Sequence, residues 1–191
     1  MVQYIYKILI IDDDAGVRDV LKKFLEEKGY ETETVGDSRE VIDRIKARSF
    51  DIILVDLMMP VIGGIDILRG IKQFDSEAVV IIMTGYASLE TAIQAIREGA
   101  YDYITKPFRL EEIYITIKNA CEKIFLKRQH KAFIDELRKV YESSPNTKKM
   151  SDDKSADETN NNELARLTSL LDRRLLTKNE FDVLRKLHIK D

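Results

Sequence analysis

A single cysteine, Cys121, stands among 191 residues, which excludes an internal disulfide and any cysteine-built zinc site and fits a reducing compartment. Its expected role is packing on a helix. No stretch approaches the roughly 18 consecutive apolar residues of a membrane-spanning helix. The opening Met1-Val2-Gln3-Tyr4-Ile5-Tyr6-Lys7 lacks the charged, apolar and small-residue order of a secretory leader. The expected location is cytoplasmic, with no membrane partner. No charge of one sign dominates, because 31 Lys and Arg stand against 34 Asp and Glu, a net charge of -3. There is thus no chain-wide basic field to draw nucleic acid or an anionic membrane. No Gly-x-x-x-x-Gly-Lys-[Ser/Thr] occurs either, so no phosphate-cradling loop of the P-loop kind is present.

What is present is an alternation. Length suits one domain of ordinary size with an added segment, and 44% hydrophobic content can fill its core. Short β-rich runs near 6–11, 30–35, 51–56, 79–83 and 101–104 alternate with helical patterns, the signature of βαβ units. Between the runs, Val17, Val20, Leu21, Phe24 and Leu25 recur at helical spacing, as do Val41, Ile42 and Ile45, then Ile65, Leu68 and Ile71, then Leu89, Ala92, Ile93 and Ile96. Each helix has one apolar side. Gly29 and Gly99 stand where helices stop, Asp37 or Ser38 is placed to cap the second helix, and Ser88 the fourth. The expected fold is α/β, a five-stranded doubly wound parallel sheet, over residues 1–125.

A fifth helix begins after Pro107 and meets no breaker until Ser143-Ser144-Pro145. About 35 helical residues at about 1.5 Å each would reach roughly 50 Å. Residues 126–142 are therefore read as an extension of this helix, suited to pairing with another chain, the alternative being a bend at Lys127–Lys131. Residues 143–162, polar and nearly free of apolar side chains, read as a flexible linker. Order is expected again over 163–191, where Leu164, Leu167, Leu170 and Leu171 make one apolar face. Thr177-Lys178-Asn179-Glu180 then opens a second helix with a capping box. Such a hairpin is too small for a core of its own and must self-associate or dock.

Four of the apolar runs end in groups suited to phosphoryl chemistry: Asp12-Asp13-Asp14, Asp56, Thr84 and Lys106. Strand ends at the carboxyl edge of a parallel sheet share one crevice, so these groups are expected to meet. Carboxylates crowded there repel one another unless a cation joins them, and hard oxygen ligands suit Mg²⁺. Asp12, Asp13 and Asp56 are the natural set. Asp56 then serves as a carboxylate nucleophile toward phosphorus, Lys106 spreads charge from the transferring oxygens, and Thr84 donates a hydrogen bond to the same group. Any one of these residues alone reads as an ordinary strand end. All four together do not.

The runs Ile8–Asp14, Asp51–Pro60, Met83-Thr84-Gly85-Tyr86 and Tyr101–Phe108 together resemble the receiver domain of two-component response regulators, over residues 5 to about 123. The stretch Thr84–Phe108 is most similar to receivers of nitrogen-regulatory activators. The resemblance implies that Asp56 takes phosphate from a histidine kinase. It also implies that Asp13, Asp56 and the Met58 backbone carbonyl bind Mg²⁺ directly, Asp12 acting through water. Lys106 and Thr84 would contact the phosphoryl group, Lys106-Pro107 would be cis, and Tyr103 would be the switch aromatic, turning inward as Thr84 moves toward the phosphate. Gly63 departs from the family pattern, which often has Asp there, and is expected to loosen its loop. Met58 and Tyr86 carry no carboxylate or amide to orient an attacking water, so self-dephosphorylation is expected to be slow. Residues Leu164–Ile189 resemble the short C-terminal (SHOCT) domain, for which oligomerisation or partner docking is the usual inference.

The expected function is therefore a response regulator of a phosphorelay, a signalling switch rather than an enzyme. Its expected partners are a sensor histidine kinase, and a downstream protein or second copy engaged through the fifth helix and the hairpin. Two alternatives stand beside it. One is a transcriptional regulator using the locally basic tail, although two helices fall short of a self-standing helix-turn-helix. The other is an aspartyl-phosphate phosphatase, whose Asp-x-Asp motif after the first strand, followed by Gly-Thr or Gly-Val, is not matched by Asp12-Asp13-Asp14-Ala15-Gly16.

Overall fold

Five strands form the sheet: β1 (Lys7–Ile11), β2 (Glu31–Val35), β3 (Ile52–Asp56), β4 (Val79–Thr84) and β5 (Asp102–Thr105). All pair in parallel in the order β2-β1-β3-β4-β5. The computed structural model describes residues 4–142 together with Thr168, Lys178 and Phe181, each of the last three helical. The expected linker at 143–162, and the hairpin at 163–191 apart from those three residues, lie outside the described residues. The chain divides into two units, Met1–Ala132 and Phe133–Asp191.

The strands are connected by α1 (Ala15–Glu27), α2 (Val41–Ala47), α3 (Gly64–Phe74) and α4 (Leu89–Arg97), and α5 (Leu110–Glu142) follows β5. A parallel sheet covered on both faces needs apolar side chains pointing both ways, which is why β3 and β4 read as continuous apolar runs. Every residue of both strands is buried. Leu9, Ile11, Ile53, Val55, Val80 and Ile82 pack on one face against Val41, Ile67, Leu68, Ile71 and Ala95. Ile8, Ile10, Ile52, Leu54, Ile81 and Met83 pack on the other against Leu21, Leu25, Ile113, Ile117 and Ala120. The five-stranded doubly wound α/β fold expected from the sequence is the fold observed.

Local signals explain most boundaries. Gly29 and Gly99 follow α1 and α4 with φ of 88° and 90°, a region that glycine enters without a Cβ penalty. Ser88 caps α4 in a reciprocal box with Thr91. The second helix departs from expectation. Asp37 caps a 3₁₀ turn, Ser38–Glu40, and α2 begins only at Val41 with no side-chain cap. Ser38 instead reaches the loop after β3. Cys121 is buried in the α1–α5 layer, and burial pushes its thiol up to about 11, so its role is the packing expected of it. Leu110–Glu142 is helical throughout, with no break at Lys127–Lys131. Among the described residues no helix is long and apolar enough to cross a membrane.

Candidate functional site

Strand order reverses between β1 and β3, which opens a crevice beyond their carboxyl ends. Asp12, one residue past β1, is wholly buried, and Asp56, the last residue of β3, is 6% exposed. Thr84 ends the next strand and is also buried. Lys106 follows β5, and its long side chain crosses the end of β4 to reach both acids. Its Nζ donates to Asp12 Oδ2 at 2.7 Å and Asp56 Oδ2 at 2.9 Å. The remaining oxygens accept backbone amides, Asp12 Oδ1 from Asp14 at 3.0 Å and Asp56 Oδ1 from Met58 at 3.2 Å. Asp13 is exposed at the rim. The crevice thus brings together Asp12, Asp13, Asp56 and Lys106 from separate strand ends.

Burial sets the electrostatics. Desolvation raises the Asp12 carboxyl above its usual range, against the opposing pull of the Lys106 hydrogen bond. Burial also works against the Lys106 ammonium, but the hydrogen bonds to Asp12 and Asp56 outweigh it and raise that group above the usual lysine value. One ammonium therefore serves two buried carboxylates with a third close by. Carboxylate oxygens of Asp12, Asp13 and Asp56 all lie within 4.8 Å of one another, an all-oxygen donor set that fits Mg²⁺. Protein donors engage both oxygens of Asp12 and both of Asp56, while the Asp13 carboxylate stands exposed beside them.

The loop after β3 is built tightly. The Gly64 amide donates to Leu57 O at 2.9 Å, and a Cβ at Gly64 would stand 2.3 Å from Asp56 O and 2.6 Å from Leu57 Cα. Gly63 has open space around it and an ordinary extended φ of -69°, so the residue whose lack of a side chain matters most here is Gly64. Before them, the Ile62 amide donates to Pro60 O at 2.8 Å, and Val61 has φ of 69°, the strained γ-turn form. Ser38 Oγ braces this turn, donating to Pro60 O at 2.6 Å and accepting from Ile62 N at 3.1 Å. A β-branched residue at positive φ costs on the order of 1–3 kcal/mol, so Val61→Gly is expected to raise stability by about 1 kcal/mol after glycine's entropy cost. A urea titration checks this, and a less stable variant contradicts it. Met58 is 56% exposed, whereas Met59 is buried in the core.

On the side of the crevice toward β5, Thr84 Oγ1 accepts the Tyr86 amide at 3.0 Å. Tyr103 is half-buried, and its hydroxyl lies 2.9 Å from Thr91 Oγ1. Thr91 is the same residue that closes the α4 cap. Its link to Tyr103 has no sequence signal beyond the Ser88-x-x-Thr91 box. The Lys106-Pro107 peptide is cis, as the resemblance implied. A cavity of about 440 Å³ lies at the opposite, amino edge of the sheet, and its basic residues are engaged. Lys72 donates to Ala78 O at 2.6 Å, Lys127 pairs with Glu77 and Arg128 with Asp51.

Residues 8–118 match the response regulator receiver domain family. The chain belongs to that family. Receiver domains are the signalling switches of two-component systems, and they bind Mg²⁺ at an acidic pocket of this kind. The chain is similar to the regulatory protein AtoC of Escherichia coli (strain K12), at 34% identity over 125 residues, 65% of this chain and 27% of that protein. It spans about a quarter of the length of the curated relatives it matches. A receiver domain protein from Clostridium thermocellum is 37% identical, with TM-score 0.61 over 64% of this chain and 98% of that one. The beryllofluoride-activated NtrC4 receiver domain dimer is 38% identical, with TM-score 0.59 over 61% of this chain and 97% of that one.

Proposed function

We propose that this receiver accepts a phosphoryl group on Asp56 from a histidine kinase, and that the resulting change in the face formed by α4, β5 and α5 controls protein contacts or self-association. The observation that carries the reading is the buried Asp56 carboxylate, held by Lys106 at the switch point of the sheet with two further acids beside it. Asp13, Asp56 and the Met58 carbonyl would hold Mg²⁺, with Asp12 assisting through water. When bound, the metal supplies positive charge to the carboxylates and to the transferring oxygens. An Asp56 carboxylate oxygen bonds to phosphorus as the phosphorus–nitrogen bond of the donor imidazole breaks, the bonding pair leaving with the imidazole. Lys106 turns part of its charge to the new phosphoryl oxygens. The Thr84 hydroxyl keeps its proton free to donate to them, because Oγ1 acts as acceptor toward Tyr86.

The readout runs from Thr84 to Tyr103. If Thr84 swings toward the phosphoryl group it gives up the Tyr86 amide, and if Tyr103 turns inward it gives up Thr91, the residue that closes the α4 cap. One movement thus reaches the start of α4. Backbone amide resonances recorded with a small phosphodonor and Mg²⁺ test this. Changes are expected at Tyr86, Thr91 and Tyr103, and changes confined to the ends of β1 and β3 overturn the switch. With exposed Met58 and Tyr86 flanking the crevice, the phosphorylated chain is expected to last minutes or longer with Mg²⁺. A half-life of seconds contradicts that expectation. Apart from Thr168, Lys178 and Phe181 the basic tail lies outside the described residues, so salt-sensitive DNA binding by the full chain is the observation that would favour a transcriptional output.

A further inference from the structure

Past β1 the chain leaves strand geometry. The Asp12 amide still bonds to Val35 O at 3.2 Å, and two residues on, Asp14 caps α1 by accepting the Gly16 and Val17 amides at 2.7 and 3.3 Å. In a strand, successive carbonyls point in opposite directions. Here those of Asp12 and Asp13 both meet the Arg18 guanidinium, with Nη1 donating to Asp12 O at 2.6 Å and to Asp13 O at 3.0 Å. Two converging carbonyl dipoles beside a cluster of carboxylates repel one another. A cation placed on the carbonyls offsets that repulsion and leaves the carboxylate oxygens to Lys106 and to a metal. The seat for this cation is Gly36, just after β2. A Cβ there would stand 2.8 Å from Arg18 Nη1, 2.9 Å from Cζ and 3.1 Å from Nη2, so the guanidinium lies against the glycine itself.

We infer that Arg18 and Gly36 act as a positioning pair that holds the Asp12–Asp13 backbone in its metal-binding shape. The inference rests on the reading that Asp13 and Asp56 hold Mg²⁺. Arg18 touches neither metal nor phosphoryl group and acts through the backbone of the residues that do. Outer partners of this kind set metal affinity by about 10- to 100-fold. Gly36→Ala is the selective probe. The atoms it crowds are the end of a flexible side chain, so the fold accommodates it at little cost, but the displaced guanidinium loses both carbonyls.

Mg²⁺ affinity measured by calorimetry on the full chain, without phosphodonor, is expected to fall about tenfold in Arg18→Met and by a similar factor in Gly36→Ala. The double variant is expected to bind no more weakly than Arg18→Met, because the two substitutions break one route. Arg18→Lys, with a single ammonium in place of the fork, is expected to recover part of the loss. In EDTA, the Asp14 amide, which donates to Asp12 Oδ1, is expected to exchange faster in Arg18→Met and Gly36→Ala while β3 amides keep wild-type rates. A purely structural role would speed both. Mg²⁺ affinity within twofold of wild type in both single variants, or losses that multiply in the double variant, overturns the inference. If Arg18→Met does not fold, Gly36→Ala and Arg18→Lys carry the comparison. Asp13→Asn serves as the control for the metal reading: unchanged Mg²⁺ affinity there overturns that reading and this one together, whereas loss there with wild-type affinity in Gly36→Ala and Arg18→Met overturns this one alone.

Discussion

In EDTA at neutral pH, Lys106→Met is expected to be about 3 kcal/mol less stable than wild type, and Mg²⁺ is expected to restore most of the loss. The Lys106 side chain is 20% exposed and bonds to two carboxylates that are almost fully buried. Removing one partner of a buried pair leaves an uncompensated charge, which costs far more than a surface ion pair contributes. The direction of the pH dependence follows. Burial already raises Asp12 above the usual carboxylate range while Lys106 pulls it down, so loss of the lysine raises it further. Between the unfolded carboxylate value and this raised native value the native state binds more protons, and stability falls as pH rises. The variant should therefore recover stability relative to wild type as pH is lowered from 7 toward about 5. Urea titrations at the two pH values, with EDTA and with Mg²⁺, check both effects. Wild-type stability in EDTA, or a deficit indifferent to metal, contradicts the arrangement described.

Gly64→Ala is expected to cost about 3 kcal/mol and to slow phosphoryl uptake by Asp56. The added methyl meets Asp56 O and Leu57 Cα at 2.3 and 2.6 Å, and both are backbone atoms with no rotamer to retreat into. The start of α3 must move away from β3, and the Gly64 amide loses its short bond to Leu57 O. Because the contacted residue is the proposed phosphoacceptor, fold and site are expected to be disturbed together. Gly63→Ala, in open space at an ordinary φ, is the control and should be nearly neutral. Equal stability of the two variants contradicts the reading.

This pair of glycines shows where the sequence stops being legible. Two adjacent glycines announce a turn, but only the register of α3 against β3 decides which of them touches the backbone after Asp56. The central strands β1, β3 and β4 were legible because a sheet buried on both faces demands continuous apolar runs. The gathering of Asp12, Asp13, Asp56 and Lys106 was legible because parallel strands present their carboxyl ends on one side. Residues that act through the backbone or across a loop were not. Ser38 carries a helix-capping signal, yet its hydroxyl spans the Pro60–Ile62 turn. Arg18 falls on the polar side of α1 and resembles any solvated arginine until the Asp12 and Asp13 carbonyls are seen to face it. Ser88 is readable as a cap residue, but Thr91, which closes that cap, is not readable as the partner of Tyr103.

The central claim is that Asp56 is the one phosphoacceptor and that its chemistry depends on the acidic crevice around it. Intact mass of the full chain after incubation with a small phosphodonor tests it most directly, for wild type and Asp56→Asn, each with Mg²⁺ and with EDTA. Wild type with Mg²⁺ is expected to gain a single phosphoryl group, and neither wild type in EDTA nor Asp56→Asn under either condition should gain one. A phosphoryl group of equal yield on Asp56→Asn, or uptake by wild type that is the same without the metal, would contradict it.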